Sequence, residues 1–236
     1  MYETYQALTV PTNSRQSLWR YFSFERLRDL LITGELFFTH LPKFSDGREG
    51  SLTARTRQHL FSWFVNHGSG PDKAWREVEE YEKLHTHFYV SCWHMNNGES
   101  YLMWKAYADS GCAVQTTFER VQASFDNFSG VISGGVVEYV DFERDITPLG
   151  NTFNHVITKD LPYSDEREFR LVFWRPDPRN QDAALEQNGA RVCVDLRMLI
   201  NRIYLNPFSP SVPPEIYKLL QERGIECSSS TINHTP

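Results

Sequence analysis

Apolar positions alternate between strand-like and helical spacing at the start of the chain. Residues 17–24 (SLWRYFSF) mix aromatic and polar side chains in a short run that predicts a strand. In residues 24–34, three leucines recur at helical spacing between a serine N-cap and Gly34, so a helix is expected there. Residues 35–41 (ELFFTHL) return to strand character. The chain is therefore predicted to open as strand, helix, strand.

Strands outnumber helices in the rest of the chain, and the helices are spread among them. Residues 52–84 carry two helical patterns around the turn-forming segment NHGSGPD, which is typical of an insertion or lid. Residues 154–159 (NHVITK) fit either a short strand or the end of a helix, and 177–189 have the composition of a polar loop. Further strands are predicted at 87–95, 111–118, 131–140, 167–174, 191–196, 201–207 and 225–229, and further helices at 101–109 and 213–224, with a short helix before 201.

This order of elements predicts one α+β domain with mixed or antiparallel sheets and interspersed helices. We expect the domain to span 17–236, with a helical insertion at about 52–84 and a flexible lead-in at 1–16. A hydrophobic content of 40% and a charged content of 23% fit a globular protein rather than a disordered one. The net charge of −6 argues against a broad surface that grips nucleic-acid phosphates but leaves room for a local basic cleft.

The cysteines and the first residues of the chain indicate where in the cell the protein is expected. The four cysteines are scattered without a CxxC pair, so reduced thiols in a cytoplasmic protein are expected rather than structural zinc or disulfides. The first residues lack the basic and apolar regions of a secretory signal. No run of about 18 apolar residues occurs, so no membrane association is expected. The histidines form no metal-binding motif, and no metal site is predicted.

Glu166 and Glu168 stand two residues apart in YSDEREFRLVFW, where an apolar run begins. In an extended chain, residues i and i+2 point to one face, so both carboxylates would converge at the mouth of a strand. One interpretation is structural, with both glutamates paired to Arg167, Arg170 or a neighbouring strand. The other is a carboxylate pair that acts on a sugar, in which one member stabilises an oxocarbenium-like centre and the other orients or deprotonates the nucleophile.

Two apolar strands carry further candidates. Arg20 and Tyr21 lie in the first strand, where a guanidinium suits phosphate or carboxylate and a tyrosine either stacks on a ligand or fills the core. Ser91 lies inside the strand at 87–95, where its hydroxyl needs a partner, and Trp93 follows near the strand end, where pockets form. Each also has an ordinary structural interpretation: an exposed strand arginine, and a serine bonded to backbone.

Asp46 and Glu49, in the loop SDGREG, provide two more acids. Together with Glu166 and Glu168 they supply enough oxygen ligands for a hard cation. A metal-dependent nuclease that uses Asp46, Glu49 and Glu168 is therefore one of the hypotheses. The spacing of these acids, however, matches no EF-hand or nuclease motif.

Several motifs follow one another in order: LWRYFSFERLRDLLITGELFFTHLPKFSDGREG, FYVSCWHMNNGESYLMWKAYADSGCAVQTTF, VEYV and KDLPYSDEREFRLVF. Over about residues 18–230 this order resembles the bacterial domain-of-unknown-function family 2971. Members of that family have an opening strand with aromatic, Arg or His, and Tyr, an acidic loop after the second strand, a W..Ya....G segment and an E.E.R strand. The family resemblance implies no activity.

A more distant resemblance does imply one. An arginine on the first strand, a serine on a middle strand and Glu-x-Glu before a late strand is the order of the R-S-E class of ADP-ribosyltransferases. Its NAD-binding fold also opens as strand, helix, glycine, strand. The resemblance implies that Arg20 holds a phosphate or ribose of NAD and that Ser91 supports the site. It also implies that Glu168 is the catalytic carboxylate and that Glu166 engages the acceptor.

The same resemblance implies that Tyr163 lies in an acceptor loop, and that the aromatic segments from Trp93 to Tyr107 enclose nicotinamide or acceptor. The chain departs from the class pattern in three ways. The middle strand has Ser-Cys-Trp instead of Ser-Thr-Ser, and the first-strand position aligns with either Arg20 or Tyr21. The E.E.R segment also fits a structural ion-pair ladder that includes Arg170.

Two functional hypotheses from different classes follow. In the first, the chain is an enzyme that cleaves NAD at the nicotinamide–ribose bond and transfers ADP-ribose to a protein, nucleic-acid or small acceptor, as toxins, effectors and phage-defence proteins do. In the second, it is a non-catalytic module that binds a nucleotide or a partner protein. Only a fold that brings Arg20, Ser91 and Glu168 together makes a catalytic site.

Overall fold

The computed structural model describes residues 1–108, 110–181, 184–208 and 211–232. The predicted helix end at Asp109, positions 182 and 183 of the predicted polar loop, and residues 233–236 of the predicted domain lie outside the described residues. The strands are β1 Ser17–Ser23, β2 Glu35–His40, β3 Phe88–Met95, β4 Gly111–Thr117, β5 Ser133–Val136, β6 Glu138–Val140, β7 Thr158–Asp160, β8 Glu168–Trp174, β9 Leu185–Glu186, β10 Gly189–Cys193, β11 Arg202–Leu205 and β12 Cys227–Ser229. The α-helices are α1 Phe24–Thr33, α2 Ala54–Asn66, α3 Pro71–Glu82, α4 Tyr101–Tyr107, α5 Phe118–Ala123, α6 Asn154–Ile157, α7 Leu196–Leu199 and α8 Pro214–Arg223. Short 3-10 helices lie at Leu41–Lys43, Lys83–His87, Leu161–Glu166 and Pro178–Asn180.

The opening strand, helix and strand form as the sequence predicts. Ser23 caps α1, because its hydroxyl accepts a hydrogen bond from the Arg26 N–H. Gly34 ends the helix with a φ of 69°, a left-handed conformation that glycine adopts without a side-chain clash. The leucines between these residues are buried, and α1 packs against the sheet and against α8.

Ten of the strands in the described residues join in one sheet. Its main path runs β12-β11-β4-β1-β3-β2-β10-β9, and β8 pairs with both β3 and β5. The β11–β12 pair is parallel, whereas β1, β3, β4 and β8 pair with one another in antiparallel fashion. β6 and β7 form a separate parallel pair. The predicted α+β class with mixed, mainly antiparallel sheets is therefore confirmed.

β3 is the branch point of the main sheet. Along one edge it pairs with β8 over most of its length. Along the other edge it pairs with β1 only at Met95 and His94, and with β2 only at Val90 and Tyr89. Between these two contacts β1 and β2 diverge, so no described strand pairs with residues 91–93 along that edge. This opening in the sheet positions the candidate site.

Apolar side chains cover both faces of the sheet. On one face, α1, α5, α7 and α8 contribute to the main core, which includes Trp93 and Phe169. On the opposite face, Val90 and Val172 pack against Phe153 and its neighbours in and before α6. The strands that carry the candidate site are therefore held rigidly from both sides.

Four segments differ from the sequence prediction. The predicted strand 131–140 splits into β5, in the main sheet, and β6, paired with β7; between them, the Val137 N–H donates to the Glu168 carbonyl. Residues 154–159, which were predicted as either a short strand or the end of a helix, contain both, first α6 and then β7. The predicted polar loop includes β9, which pairs with β10, and α5 was not predicted.

Residues 1–16 carry no helix and only an isolated bridge from Tyr2. They nevertheless contact the rest of the protein: Leu8 is buried, and the Tyr5 ring stacks on Phe153 with centroids 4.6 Å apart. The predicted helical insertion corresponds to the pair α2 and α3, which pack on each other. Within the described ranges, no helix is both long and apolar enough to cross a bilayer.

Candidate functional site

A cleft of about 270 Å³ opens where β1 and β2 diverge from β3. Its walls come from β1, β3, α4, the loop after β2 and the segment from β7 to β8, so residues far apart in sequence meet there. Arginines, acids and aromatic rings share these walls. The polar and aromatic lining includes Arg20, Tyr21, Arg26, Asp46, Glu49, Trp93, His94, Tyr107, Lys159, Tyr163, Glu166 and Glu168.

Arg20 reaches across the gap between the diverging strands. Its Nη1 donates to Ser91 Oγ over 2.5 Å, and its Nη2 donates to the Phe37 carbonyl over 3.2 Å. The guanidinium carbon also lies 5.8 Å from the ring centroids of Phe22 and Trp93. One side chain thus connects β1, β2 and β3 where they separate, and these contacts fix its position.

Arg20 makes no ion pair with any carboxylate in the described part of the chain; its hydrogen bonds go to a hydroxyl and a carbonyl. Burial lowers the pKa of its guanidinium to about 10, so the group stays charged at pH 7. Arg26, in the first turn of α1, also lines the cleft, and its charge acts on Arg20. A half-buried cation without an anionic partner is suited to binding an anionic ligand.

Glu166 and Glu168 belong to a buried ionic network with Glu49, Lys159 and Arg170. Lys159 Nζ lies 2.5 Å from Glu166, 2.7 Å from Glu168 and 3.3 Å from Glu49. Arg170 donates through Nε to Glu168 over 2.7 Å and through Nη1 and Nη2 to both oxygens of Glu49. The carboxylates outnumber the cations by one, so the network presents net negative charge to the cleft.

The convergence of Glu166 and Glu168 does not come from the pleat of a strand, and the sequence prediction was wrong on this point. Glu166 is the last residue of a 3-10 helix, and β8 begins only at Glu168. Between them Arg167 has φ 42° and ψ 55°, a left-handed conformation that is unfavourable for a residue with a side chain. This turn brings both carboxylates to the same side of Lys159.

The environments of the two glutamates shift their pKa values in opposite directions. Burial acts to raise the pKa of Glu168, but the charges of Arg170 and Lys159 outweigh it and hold that pKa well below its usual range. Burial and the neighbouring Glu168 carboxylate raise the pKa of Glu166 to about 7, although Lys159 and the Tyr107 hydroxyl oppose the rise. At neutral pH Glu168 is ionised, and Glu166 is poised to gain or lose a proton.

Aromatic side chains form much of the remaining wall. Tyr21 is buried, and its hydroxyl accepts a hydrogen bond from the Ser100 N–H over 2.8 Å. Trp93 is also buried and donates its indole N–H to Ser91 over 3.1 Å. Tyr163 is more exposed, and its ring centroid lies 4.7 Å from Lys159 Nζ. These rings offer both fixed and exposed surfaces for a planar ligand.

Arg20, Ser91 and Glu168 therefore converge on one region, but they do not share one face of the sheet. In the β3–β8 pair, Ser91 lies opposite Leu171, whereas His94 lies opposite Glu168. Since alternate residues of a strand point to opposite faces, Arg20 and Ser91 meet on one side of β3 and Glu168 lies on the other. Both sides reach the cleft because β1 and β2 part there, so a ligand that touches both Arg20 and Glu168 has to span the gap.

The arrangement of the acids does not support the metal hypothesis. Glu49 directs both oxygens to Arg170, and Glu168 shares its oxygens between Arg170 and Lys159. Asp46 lines the same cleft but hydrogen-bonds through Oδ1 to the Arg48 N–H. Within the described ranges, no group of three or more His, Cys, Asp or Glu side chains is placed to hold a metal ion.

The sequence analysis did not find Lys159 as part of the site. Tyr107 and His94 were expected only within the aromatic segments from Trp93 to Tyr107, and their hydrogen bonds to Glu166 were not foreseen. Lys159 lies in β7, and no sequence pattern marks it as the partner of both glutamates. Tyr107 donates to Glu166 over 2.7 Å from the last residue of α4. Its place in an aromatic helix directly after a buried strand was a usable signal, because such junctions form pocket walls.

A scan against protein-family models, a search of curated proteins and a search of solved structures each return no match to this chain. These comparisons thus leave the resemblance to family 2971 and the R-S-E order of residues as expectations from sequence. Function is therefore inferred from the cleft itself: a guanidinium with no carboxylate partner among the described residues, two carboxylates whose pKa values shift in opposite directions, and aromatic walls.

Proposed function

We propose that this cleft binds NAD, cleaves its nicotinamide–ribose bond and transfers ADP-ribose to an acceptor. The observation that carries the proposal is that Arg20, Glu166 and Glu168 line one cleft although they come from opposite parts of the chain. The order of these residues resembles that of the R-S-E class of ADP-ribosyltransferases, which supports the same reaction. The opening order of strand, helix and strand is also the order with which the NAD-binding fold of that class begins.

In the proposed reaction, the protein contributes mainly charged side chains held at fixed positions. The bond between C1′ of the ribose and the nicotinamide nitrogen breaks, and its electron pair leaves with nicotinamide as a neutral molecule. The positive charge that develops at C1′ is stabilised by Glu168, which is ionised and buried. A nucleophile then bonds to C1′ from the acceptor, and its proton passes to Glu166.

The two glutamates differ in the way these roles require. Glu168 is held ionised by Arg170 and Lys159, so it offers a permanent negative charge in a partly dry cleft. Glu166 has a pKa raised to about 7 and lies closer to solvent, so it accepts and releases protons near neutral pH. A pair of carboxylates whose pKa values are pushed apart is typical of acid–base sites.

Arg20 and Arg26 suit the pyrophosphate of NAD. Arg20 is already fixed by Ser91 and the Phe37 carbonyl, so little side-chain entropy is lost when it binds a phosphate oxygen. Trp93 adds apolar wall beside Arg20, whereas Tyr21 lies on the other side of β1, next to His94. Tyr163 lies near the glutamates, where an acceptor would approach. In this proposal, Ser91 acts through Arg20 and has no contact with NAD of its own.

The direct test is release of free nicotinamide from NAD by the purified chain, followed by chromatography. The proposal predicts release by the wild-type chain and a fall of about a hundredfold or more in Glu168→Gln. Glu226→Gln, at an exposed ion pair with Arg202, is the matched control and should be unchanged. Absence of nicotinamide release from the wild-type chain, with and without added protein or nucleic-acid acceptors, would refute the proposal.

A non-catalytic nucleotide-binding function is the second candidate, and one observation favours it. Both glutamates already form ion pairs, Glu166 with Lys159 and Glu168 with Lys159 and Arg170, as in a structural ion-pair ladder. In that case the cleft binds NAD or another nucleotide through Arg20 without turnover. Nucleotide binding by calorimetry together with no nicotinamide release would select this candidate over the enzyme.

A further inference from the structure

Two buried polar atoms of residues that line the cleft have no hydrogen-bond partner among the described residues: His94 Nε2 and Asp46 Oδ2. The His94 residue is only 3% exposed. A buried polar atom left unpaired costs about 1–3 kcal/mol, and native proteins pair nearly all such atoms. Two such atoms on residues of one cleft give a ligand two positions at which to form hydrogen bonds.

Both atoms are hydrogen-bond acceptors. His94 Nδ1 lies 2.7 Å from the Glu166 carbonyl oxygen, which can only accept, so the ring hydrogen is on Nδ1 and Nε2 keeps its lone pair. Burial lowers the pKa of His94, which keeps the ring neutral at pH 7. Asp46 uses Oδ1 to accept from the Arg48 N–H, and Oδ2 is left over. A ligand that pairs with these two atoms therefore has to bring hydrogen-bond donors.

The position of His94 narrows the kind of donor. His94 is directly opposite Glu168 in the β3–β8 pair, so the two side chains are neighbours on one face of the sheet. Under the function proposed above, Glu168 lies beside C1′ of the nicotinamide-bearing ribose. The donor nearest to that carbon is the hydroxyl on C2′, the adjacent ring carbon.

We propose that His94 Nε2 accepts a hydrogen bond from the 2′-hydroxyl of that ribose, and that Asp46 Oδ2 accepts from a second donor of the same ligand. The identity of the sugar that contacts His94 rests on the proposed function. The need for a hydrogen-bond donor beside His94 Nε2 does not. The hydrogen bond to His94 makes the cleft selective for ribose over 2′-deoxyribose, because a ligand without the 2′-hydroxyl leaves the buried acceptor unpaired.

The experiment compares ADP-ribose with its analogue that lacks the 2′-hydroxyl on the terminal ribose, titrated by calorimetry into the same protein. Wild-type protein should bind ADP-ribose about tenfold more tightly than the deoxy analogue. His94→Phe keeps a ring of similar size but removes the acceptor, and it should bind both ligands with the weaker affinity. His94→Gln retains an acceptor oxygen and should keep part of the discrimination. The wild-type comparison needs no variant, so it stands even if His94→Phe fails to fold.

Each outcome separates this inference from the proposed function. Equal binding of both ligands to wild-type protein overturns the role of His94, whether or not nicotinamide is released from NAD. Discrimination that depends on His94, without nicotinamide release, supports the ribose site and refutes NAD cleavage. Nicotinamide release with unchanged ligand discrimination in His94→Phe keeps the enzyme and removes His94 from ribose recognition. No binding of either ligand to wild-type protein overturns the role of His94, and nicotinamide release from NAD then decides the proposed function by itself.

Discussion

Arg170 and Glu49, 121 residues apart in sequence, meet in a buried bidentate ion pair with hydrogen bonds of 2.9 and 2.8 Å. The Arg170 side chain is fully buried; its Nε donates to Glu168, and its Nη1 also donates to the Val156 carbonyl. Arg170 thereby fixes the loop after β2 to β8 and sets the position of the carboxylate that we assign to catalysis. This arginine is structural, in contrast to Arg20, which has no carboxylate partner among the described residues.

Replacing Arg170 should destabilise the protein strongly. Arg170→Met keeps side-chain volume but leaves the carboxylates of Glu49 and Glu168 with Lys159 as the only cation of the network. Removing one partner of a buried ion pair costs about 3–5 kcal/mol, which urea denaturation measures. Arg179→Met, at a half-exposed ion pair, is the control and should cost much less, because solvent screens exposed ion pairs. A similar loss in both variants would contradict the structural role.

Glu168→Gln should separate stability from activity. With Glu168 neutral, Glu49 and Glu166 balance Lys159 and Arg170 in charge, so no buried cation is left without a partner. We expect a loss of about 1–2 kcal/mol in the free energy of unfolding, as for one weakened hydrogen-bonded contact. Circular dichroism and urea denaturation check the fold beside the nicotinamide assay. An unfolded variant would show that Glu168 is mainly structural.

The raised pKa of Glu166 predicts an unusual pH dependence of stability. A carboxyl whose folded pKa lies above its unfolded value favours the folded state while it is protonated, and it loses that contribution as pH rises through about 7. The free energy of unfolding of wild-type protein minus that of Glu166→Gln should therefore fall between pH 5 and pH 8. The subtraction removes the histidines, which titrate in the same range. A flat or rising difference would be evidence against the raised pKa.

The same titration should appear in catalysis. Glu166 acts as a base only when ionised, so the rate of ADP-ribose transfer should rise with pH through about 7. Tyr107→Phe removes a hydrogen bond that lowers the pKa of Glu166, so the midpoint of the pH–rate profile should move to higher pH. Glu166→Gln should flatten the profile. A midpoint that moves to lower pH in Tyr107→Phe would reject this assignment.

The left-handed turn at Arg167 gives a prediction about strain. Arg167 is exposed and has φ 42°, where glycine avoids the clash between Cβ and the backbone. Arg167→Gly should raise the free energy of unfolding by about 0.5–1 kcal/mol, while β-branched Arg167→Val should lower it by about 1 kcal/mol or more. Thermal and urea unfolding of the pair measure the difference. Equal stabilities would show that the turn is not strained.

Local patterns predicted the elements well because the signals are local. Ser23, Gly34 and the leucines between them determine α1 by capping and spacing alone. Residue type and position in or beside predicted strands singled out Arg20, Tyr21, Trp93, Glu166 and Glu168, and the resemblance to the R-S-E class added Tyr163. All six residues line the cleft.

The site's electrostatics could not be predicted in this way. The partners of Glu168 depend on which strands lie side by side. Lys159 comes from β7, and Arg170, in β8, also binds Glu49 from the loop after β2. The turn at Arg167 follows a 3-10 helix that has no periodic signal, so an extended chain was the natural but incorrect expectation. Long-range topology therefore decided the ionisation of both glutamates.

The central claim is that Arg20 binds an anionic group of NAD in this cleft, and calorimetric titration of NAD into wild-type protein and Arg20→Met tests it most directly. Arg20 contributes hydrogen bonds only to Ser91 and the Phe37 carbonyl within the described residues, so the variant should remain folded. We predict one NAD bound per wild-type chain and an affinity at least about tenfold weaker in Arg20→Met. No binding by wild-type protein, or equal binding by the folded variant, would contradict the account.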